Sequence, residues 1–278
     1  MKFLKSILIP GLALLLCSGA SAKPNLATAE VLMRASGLWN QLEDIAPAIR
    51  AELSSSLSRT EPAMAPVEIE RICAISDDLY SGTRLRAAVQ AFIAKEINKT
   101  IAGKLMAWYQ SPTGRAMTLL EVEASSRQRD PSAALEEGRD LLATLPAARQ
   151  KQLSRLVDVT NIVEALTNIT INTAIASSVG ASSTLPQEQR RSVCEFRRKM
   201  NERRPAMLKS IRDLSLASFA SAYAKASDAD LNKYIEFLQT TSGKHFSDVG
   251  IRAVDLALTE AATKLGRNIG TARNRSRV

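Results

Sequence analysis

The side chains that could carry out acid–base chemistry are few, and His245 is the only histidine. Ser247 and Asp248 lie within one helical turn of it, and Lys244 precedes it. An imidazole titrates near neutral pH, so a lone histidine can act as a general base. Catalysis of this kind also requires a nucleophile and a third group that orients the base, and neither is evident beside His245. We therefore predict a solvent-exposed helix residue here and a protein that is not an enzyme.

Motifs for metal, phosphate or cofactor binding are absent from the sequence. It contains no Cys-x-x-Cys, no pair of histidines and no alternating carboxylate loop of the calcium-binding type. The neighbouring carboxylates Asp77 and Asp78 suit the acidic surface of a helix. Glycines occur singly and do not form a phosphate-binding loop. We expect neither a metal ion nor a cofactor.

The densest charge lies between Glu188 and Arg204. Its cations are Arg190, Arg191, Arg197, Arg198, Lys199, Arg203 and Arg204. Acidic residues stand three positions before two of these arginines, a spacing typical of ion pairs on an exposed helix face. Val193, Phe196 and Met200 would form the buried stripe of that helix. We therefore predict a salt-bridged surface and no nucleic-acid partner.

The elements that carry these side chains are organised around a turn motif that occurs twice, 129 positions apart. Its defining residues are Trp108, Tyr109, Ser111, Pro112 and Gly114 in the first copy and Phe237, Thr240 and Gly243 in the second. Ser111 and Thr240 should each accept a hydrogen bond from a backbone N–H of the following helix, and Pro112 suits the first helical position. Each copy thus predicts one helix ending as another begins, with a glycine that lets another element pass close by. We expect Gly114, in the intact copy, to tolerate replacement less well than Gly243.

The fold class predicted from composition is all-α. Apolar residues make up 45% of the chain and aromatic residues only 4%, and Ala, Leu, Ser, Arg and Glu dominate. Apolar positions around Gly37 recur 124 residues later around Asn161, and asparagine is the next best residue after glycine at a left-handed helix end. We therefore predict two homologous helical repeats, packed with approximate twofold symmetry or in tandem.

The first residues have the features of a secretory signal peptide. Lys2 and Lys5 precede an apolar run, and small residues at positions 20–22 suit a cleavage site. We expect cleavage after Ala22 and a periplasmic protein. Acylation of Cys17, which would make the chain a lipoprotein, is the less favoured alternative because Leu16 suits lipoprotein processing poorly.

The predicted organisation has five parts. They are a signal peptide at 1–22, a first helical repeat at 23–130, a linker helix region at 131–146, a second repeat at 147–266 and a basic, disordered tail at 267–278. Within the first repeat, a segment rich in Ser, Ala and Pro at 54–66 predicts a loop.

The mature chain would retain two cysteines, Cys73 and Cys194, at matching positions of the two repeats. In an oxidising compartment and a twofold arrangement, equivalent residues near the axis could form a disulfide, provided that their Cα atoms lie within about 7 Å. The alternative is two small buried hydrophobic side chains. We predict the disulfide.

The aromatic pair followed by Ser-Pro-x-Gly, at Trp108, Tyr109, Ser111, Pro112 and Gly114, resembles the hallmark of the secreted bacterial helical domain of unknown function numbered 2059. The second copy departs from it, with Leu238 in place of the second aromatic and Thr241 in place of the proline. The resemblance implies an all-helical fold and a Gram-negative envelope setting. It implies no catalytic residues.

Two functions are compatible with these features. The first is a non-enzymatic periplasmic protein that binds an envelope protein or a lipid-like, apolar ligand between its two halves. The second is an envelope-surface module that uses its positive charge, +7 once Lys2 and Lys5 are removed with the signal peptide, and its basic tail to make weak contact with anionic lipid.

Overall fold

The computed structural model describes residues 26–59, 64–127 and 131–275, without the side chains of 125–134. Within these ranges all regular secondary structure is helical, and this confirms the all-α prediction. The predicted signal peptide at 1–22 and Cys17 lie outside the described residues.

The helices of the first half, up to residue 127, are short. They are α1 (Leu26–Ala35), α2 (Leu38–Gln41), α3 (Ile45–Ser58), α4 (Pro66–Leu79), α5 (Gly82–Glu96), α6 (Lys99–Tyr109) and α7 (Pro112–Arg127). The second half, from residue 131, has longer ones. They are α8 (Pro131–Thr144), α9 (Ala147–Thr160), α10 (Ile162–Ser182), α11 (Val193–Ala222), α12 (Asp228–Gln239) and α13 (Thr241–Arg275).

The helix boundaries follow from local sequence. Ser81, Asn98 and Ser227 each accept a hydrogen bond from the backbone N–H three residues later, at the starts of α5, α6 and α12. Gly37, with φ of 76°, and Asn161, with φ of 51°, are the residues with positive φ in the described part of the chain. Both were predicted as left-handed helix ends, and both separate two consecutive helices.

The core is organised along α13, which is the longest described helix, with 35 residues. Its first half packs with α1, α5 and α6, where Leu32, Val89 and Leu105 are fully buried. Its second half packs on α3 and α4 around Ile72. A third cluster joins α7, α9, α11 and α12 around Leu231. These contacts bring the two halves into one helical assembly.

The predicted disordered tail at 267–278 is wrong for residues 267–275, because α13 continues to Arg275. Small residues let this last part of α13 lie directly on α10. Gly270 approaches the backbone of Ala181, Ala272 is fully buried, and the Asn274 side chain donates to the Thr184 carbonyl at 3.1 Å. Arginine-rich sequence had suggested a solvated tail, but these small residues provide a packing face.

Two other segment predictions need revision. The predicted loop at 54–66 begins later, because α3 continues to Ser58 and buries Leu57. The linker region at 131–146 does form a helix, α8, and α8 packs closely on α11, where Gly138 faces the carbonyl of Ala217. A glycine at that contact lets the two backbones approach, so α8 belongs to the second half's packing.

Candidate functional site

Both predicted turn motifs form the expected caps. Ser111 Oγ accepts from Gly114 N–H at 3.0 Å, and Thr240 Oγ1 accepts from Gly243 N–H at 3.0 Å. Pro112 is the first residue of α7. Each glycine does let another element pass close by, and that element is the last turn of the preceding helix, α6 at Gly114 and α12 at Gly243.

The same geometry applies at both glycines. A Cβ atom at Gly114 would lie 2.1 Å from the Trp108 carbonyl oxygen, and one at Gly243 would lie 2.2 Å from the Phe237 carbonyl oxygen. The expected difference in tolerance between the two glycines therefore has no basis in the packing.

The two turns also contact each other through their aromatic residues. Trp108 stacks on Phe237 with ring centroids 4.4 Å apart and planes 6° apart. Tyr109 meets the edges of Phe237 and Phe246 at centroid distances of 5.8 and 6.2 Å. These rings join the two halves, and Tyr109, Phe237 and Phe246 form one wall of a pocket.

The pocket has a volume of about 450 Å³ and lies between the two halves. The aromatic part of its lining consists of Tyr109, Phe219, Tyr223, Tyr234, Phe237 and Phe246. Its aliphatic part consists of Leu38, Ile162, Leu166, Ile169, Leu238, Ile251 and Val254. The lining is thus contributed by both halves and is mostly apolar, as in binding sites for small organic molecules.

One carboxyl group, that of Glu121 on α7, lines this apolar pocket. Its Oε1 accepts hydrogen bonds from the hydroxyls of Tyr223 at 2.5 Å and Tyr234 at 2.7 Å. Its Oε2 has no hydrogen-bond partner among the described residues. One carboxyl oxygen is therefore held in place by two phenol groups, and the other accepts no hydrogen bond from the described part of the chain.

Burial raises the pKa of Glu121, and this effect outweighs the lowering by the two tyrosine hydrogen bonds. Burial also raises the pKa values of Tyr109, Tyr223 and Tyr234, and the nearby charge of Glu121 raises them further. No lysine, arginine or histidine lines the pocket among the described residues. The tyrosines are thus neutral, Tyr223 and Tyr234 donate to the carboxyl group, and no described cation pairs with it.

Sequence reasoning missed this carboxyl group, although a signal for it exists. Glu121 lies one helical turn after Met117, which is 1% exposed, so the spacing places a carboxylate on the buried face of α7. The sequence has four tyrosines, and Tyr109, Tyr223 and Tyr234 all line this pocket. The sequence alone could not show that these three rings converge, because they lie on α6, α11 and α12.

The structure does not form the predicted disulfide. Cys73 lies on the inner face of α4 and is 1% exposed, whereas Cys194 is exposed at the start of α11, and both thiols are free. Burial raises the pKa of the Cys73 thiol. The two cysteines thus occupy different environments, one buried and one exposed.

His245 is half-buried, which differs from the predicted solvent exposure. Its Nε2 lies 3.5 Å from the carbonyl oxygen of Glu96. Asp248, Arg252 and Asp255 share the shallow cleft beside it. The histidine does not reach the pocket at Glu121.

The predicted salt bridges of the 188–204 run are not those that form. Among the described residues, its ion pairs are Lys199 with Glu195 at 3.8 Å and Arg204 with Glu164 on α10. Val193, predicted as buried, is 44% exposed, and its neighbours Ser192 and Cys194 are exposed as well.

A group of exposed arginines remains without an ion pair to any described residue. They are Arg190, Arg191, Arg197, Arg198 and Arg203 near the start of α11, and Arg273 near the end of α13, and we call them the basic surface. Arg191 and Arg273 line the same cleft, which also contains Phe196. Cations of α11 and α13 are thus brought together by the fold.

A scan against protein-family models finds no match to this chain, and neither the curated proteins nor the solved structures include a significant match. None of the helices in the described ranges is both long enough and apolar enough to cross a membrane. In the same ranges no group of His, Cys, Asp and Glu side chains could hold a metal ion.

Proposed function

We propose that this chain is a non-enzymatic binding protein that holds a small, largely apolar ligand in the pocket between its two halves. The observation that carries the proposal is the 450 Å³ pocket with its single carboxyl group, Glu121. The predicted signal peptide and the resemblance to the domain of unknown function 2059 favour the periplasm as its location.

The volume of the pocket supports a small ligand over a protein partner at this place. Binding sites for small molecules measure about 300–1,000 Å³, whereas stable protein interfaces bury about 800 Å² on each partner. A recess of this size fits a small molecule. It provides too little contact area for the surface of a folded protein.

We also propose that the two halves are copies of one unit, related by an approximate twofold axis that passes near the pocket. Positions separated by the repeat offsets of 124 and 129 occur in pairs among the residues that line it. The pairs are Ser36 with Thr160, Leu38 with Ile162, Gln41 with Ala165, Tyr109 with Leu238, and Glu121 with Gly250. Stacking of Trp108 on Phe237, which are also 129 positions apart, supports the same axis.

Filling the pocket provides the test. A Cβ at Gly250 would meet no atom within 4 Å, and Gly250 lines the pocket, so Gly250→Leu should occupy the ligand volume without a clash. Gly103 on α6 also has open space around it but does not line the pocket, so Gly103→Leu is the matched control.

The probe is the neutral fluorescent dye N-phenyl-1-naphthylamine, whose emission increases in apolar surroundings. We expect saturable binding to the wild type and to Gly103→Leu, and loss of binding in Gly250→Leu. No binding to the wild type, or equal binding to Gly250→Leu, would refute the proposal. Native mass spectrometry of protein isolated from the periplasm should reveal a small bound molecule.

The basic surface supports a second candidate function, association with anionic lipid. Its arginines have no acidic partners among the described residues, so they remain available for headgroup phosphates. Vesicles containing phosphatidylglycerol should cosediment with the protein at low salt and release it as salt increases. The double variant Arg197→Glu, Arg198→Glu should lose binding. The control Lys104→Glu, Arg115→Glu changes the same charge on α6 and α7 and should keep it.

A further inference from the structure

We propose that the ligand carries a cationic ammonium group that pairs with Glu121 while its apolar part lies against the aromatic wall. This inference rests on the proposed function and names the chemical class of the ligand. It follows from three features of the pocket, namely an uncompensated carboxylate, an available carboxylate oxygen and a surrounding set of aromatic rings.

The first feature is a half-buried carboxylate that has no counter-ion among the described residues. A carboxylate removed from water is unfavourable unless an opposite charge or several donors compensate it. Tyr223 and Tyr234 supply two donors, both to Oε1, and no cationic side chain lines the pocket among the described residues. A cationic ligand would supply the missing charge.

The second feature is the placement of the acceptor. With Oε1 fixed by the two phenol groups, Oε2 is the acceptor that remains for a ligand N–H. A hydrogen bond between an ammonium group and a carboxylate is roughly twice as strong as one between neutral groups. An ammonium group therefore gains more at this position than an alcohol does.

The third feature is the aromatic lining. Tyr109, Phe219, Phe237 and Phe246 line the same pocket as Glu121, and aromatic faces attract ammonium ions through their quadrupoles. A carboxylate ligand would instead meet the charge of Glu121 and would find the Tyr223 and Tyr234 hydroxyls already donating. The pocket thus selects against anions even though the whole chain is basic.

The test compares three probes that share one apolar part, namely phenylbutylamine, phenylbutanol and phenylbutyrate. Titration calorimetry at neutral pH would measure each with the wild type, with Glu121→Gln and with Gly250→Leu. Gln keeps the shape and an oxygen acceptor for the tyrosines but removes the charge. We expect the wild type to bind the amine at least about tenfold more tightly than the alcohol, a difference of about 1.4 kcal/mol, and to bind the butyrate most weakly.

In Glu121→Gln the amine should bind no more tightly than the alcohol, while binding of the alcohol should be unchanged. That unchanged binding also shows that the variant is folded. The inference is overturned if the wild type binds the alcohol or the butyrate as tightly as it binds the amine. It is likewise overturned if Glu121→Gln still binds the amine more tightly than the alcohol. It is also overturned, with the proposed function intact, if the neutral dye binds and the amine does not. If neither the dye nor any of the three probes binds, the proposed function itself fails.

Discussion

Replacing either turn glycine by alanine should destabilise the protein, and by similar amounts. Gly114 and Gly243 are the third residues of α7 and α13, and each N–H donates to a capping hydroxyl. At each position an added Cβ would lie 2.1 or 2.2 Å from the carbonyl oxygen six residues earlier. Real contacts between Cβ and oxygen are longer than 3 Å, so the backbone of the preceding helix must move by roughly one ångström at each turn.

The expected magnitude follows from two opposing effects. Overpacking against a rigid group typically costs about 1–3 kcal/mol. Alanine in a helix is more favourable than glycine by about 1 kcal/mol, but this gain is smaller in a first turn. Gly103→Ala on α6 has that gain without the clash, because nothing lies within 4 Å of its Cβ. The free energies of unfolding of Gly114→Ala and Gly103→Ala should therefore differ by about 2–4 kcal/mol.

Urea unfolding followed by circular dichroism measures these differences directly. We expect Gly114→Ala and Gly243→Ala to shift the midpoint to lower urea and Gly103→Ala to shift it slightly higher, with similar slopes. The double variant Gly114→Ala, Gly243→Ala should lose less free energy of unfolding than the two single variants lose in total, because Trp108 and Phe237 are in contact and their turns relax together. If Gly114→Ala were as stable as Gly103→Ala, the close approach of the two helix ends would be wrong.

Three further predictions concern single side chains. Arg149→Leu removes the donors to two backbone carbonyls near the end of α11, so urea titrations should show a free energy of unfolding lower by about 2–4 kcal/mol. Arg149→Lys keeps one donor and should therefore reduce the free energy of unfolding by less. Glu121→Gln should unfold at a higher temperature than the wild type at neutral pH, and at the same temperature as the wild type below about pH 4. The reason is that the pKa of Glu121 is raised in the folded protein, so the wild type loses stability as the pH rises through that pKa. A variant less stable than the wild type at neutral pH would contradict this. In native protein, Cys194 should react quickly with a thiol reagent and Cys73 only after unfolding, and the absence of any reactive thiol in unfolded protein would show that a disulfide forms.

The local parts of this fold were predictable because their causes are local. A hydroxyl residue three positions before a glycine fixes a helix start through one hydrogen bond, and this is what Ser111 and Thr240 do. The left-handed conformation at Gly37 and Asn161 likewise depends on residue type, since few side chains tolerate positive φ.

The errors concern properties that depend on distant contacts. Whether the arginine-rich end of α13 is helical depends on the small residues of α10 beside Gly270, which lie about ninety positions away in the sequence. The burial of Cys73 and the exposure of Cys194 depend on where their helices lie in the assembly. The proposed equivalence of the two positions therefore predicted a disulfide, whereas the structure leaves both thiols free.

If the two halves are copies, as we propose, the pocket itself follows from a difference between them. Glu121 and Gly250 then occupy equivalent positions, and both line the pocket. A second carboxylate in place of Gly250 would repel the first and would occupy the space that a ligand needs. Glycine at that position leaves open space, with no atom within 4 Å of an added Cβ. With glutamate at both positions the second side chain would fill this space, and with glycine at both positions the space would have no carboxyl group. On this proposal, the site depends on the positions at which the two copies differ.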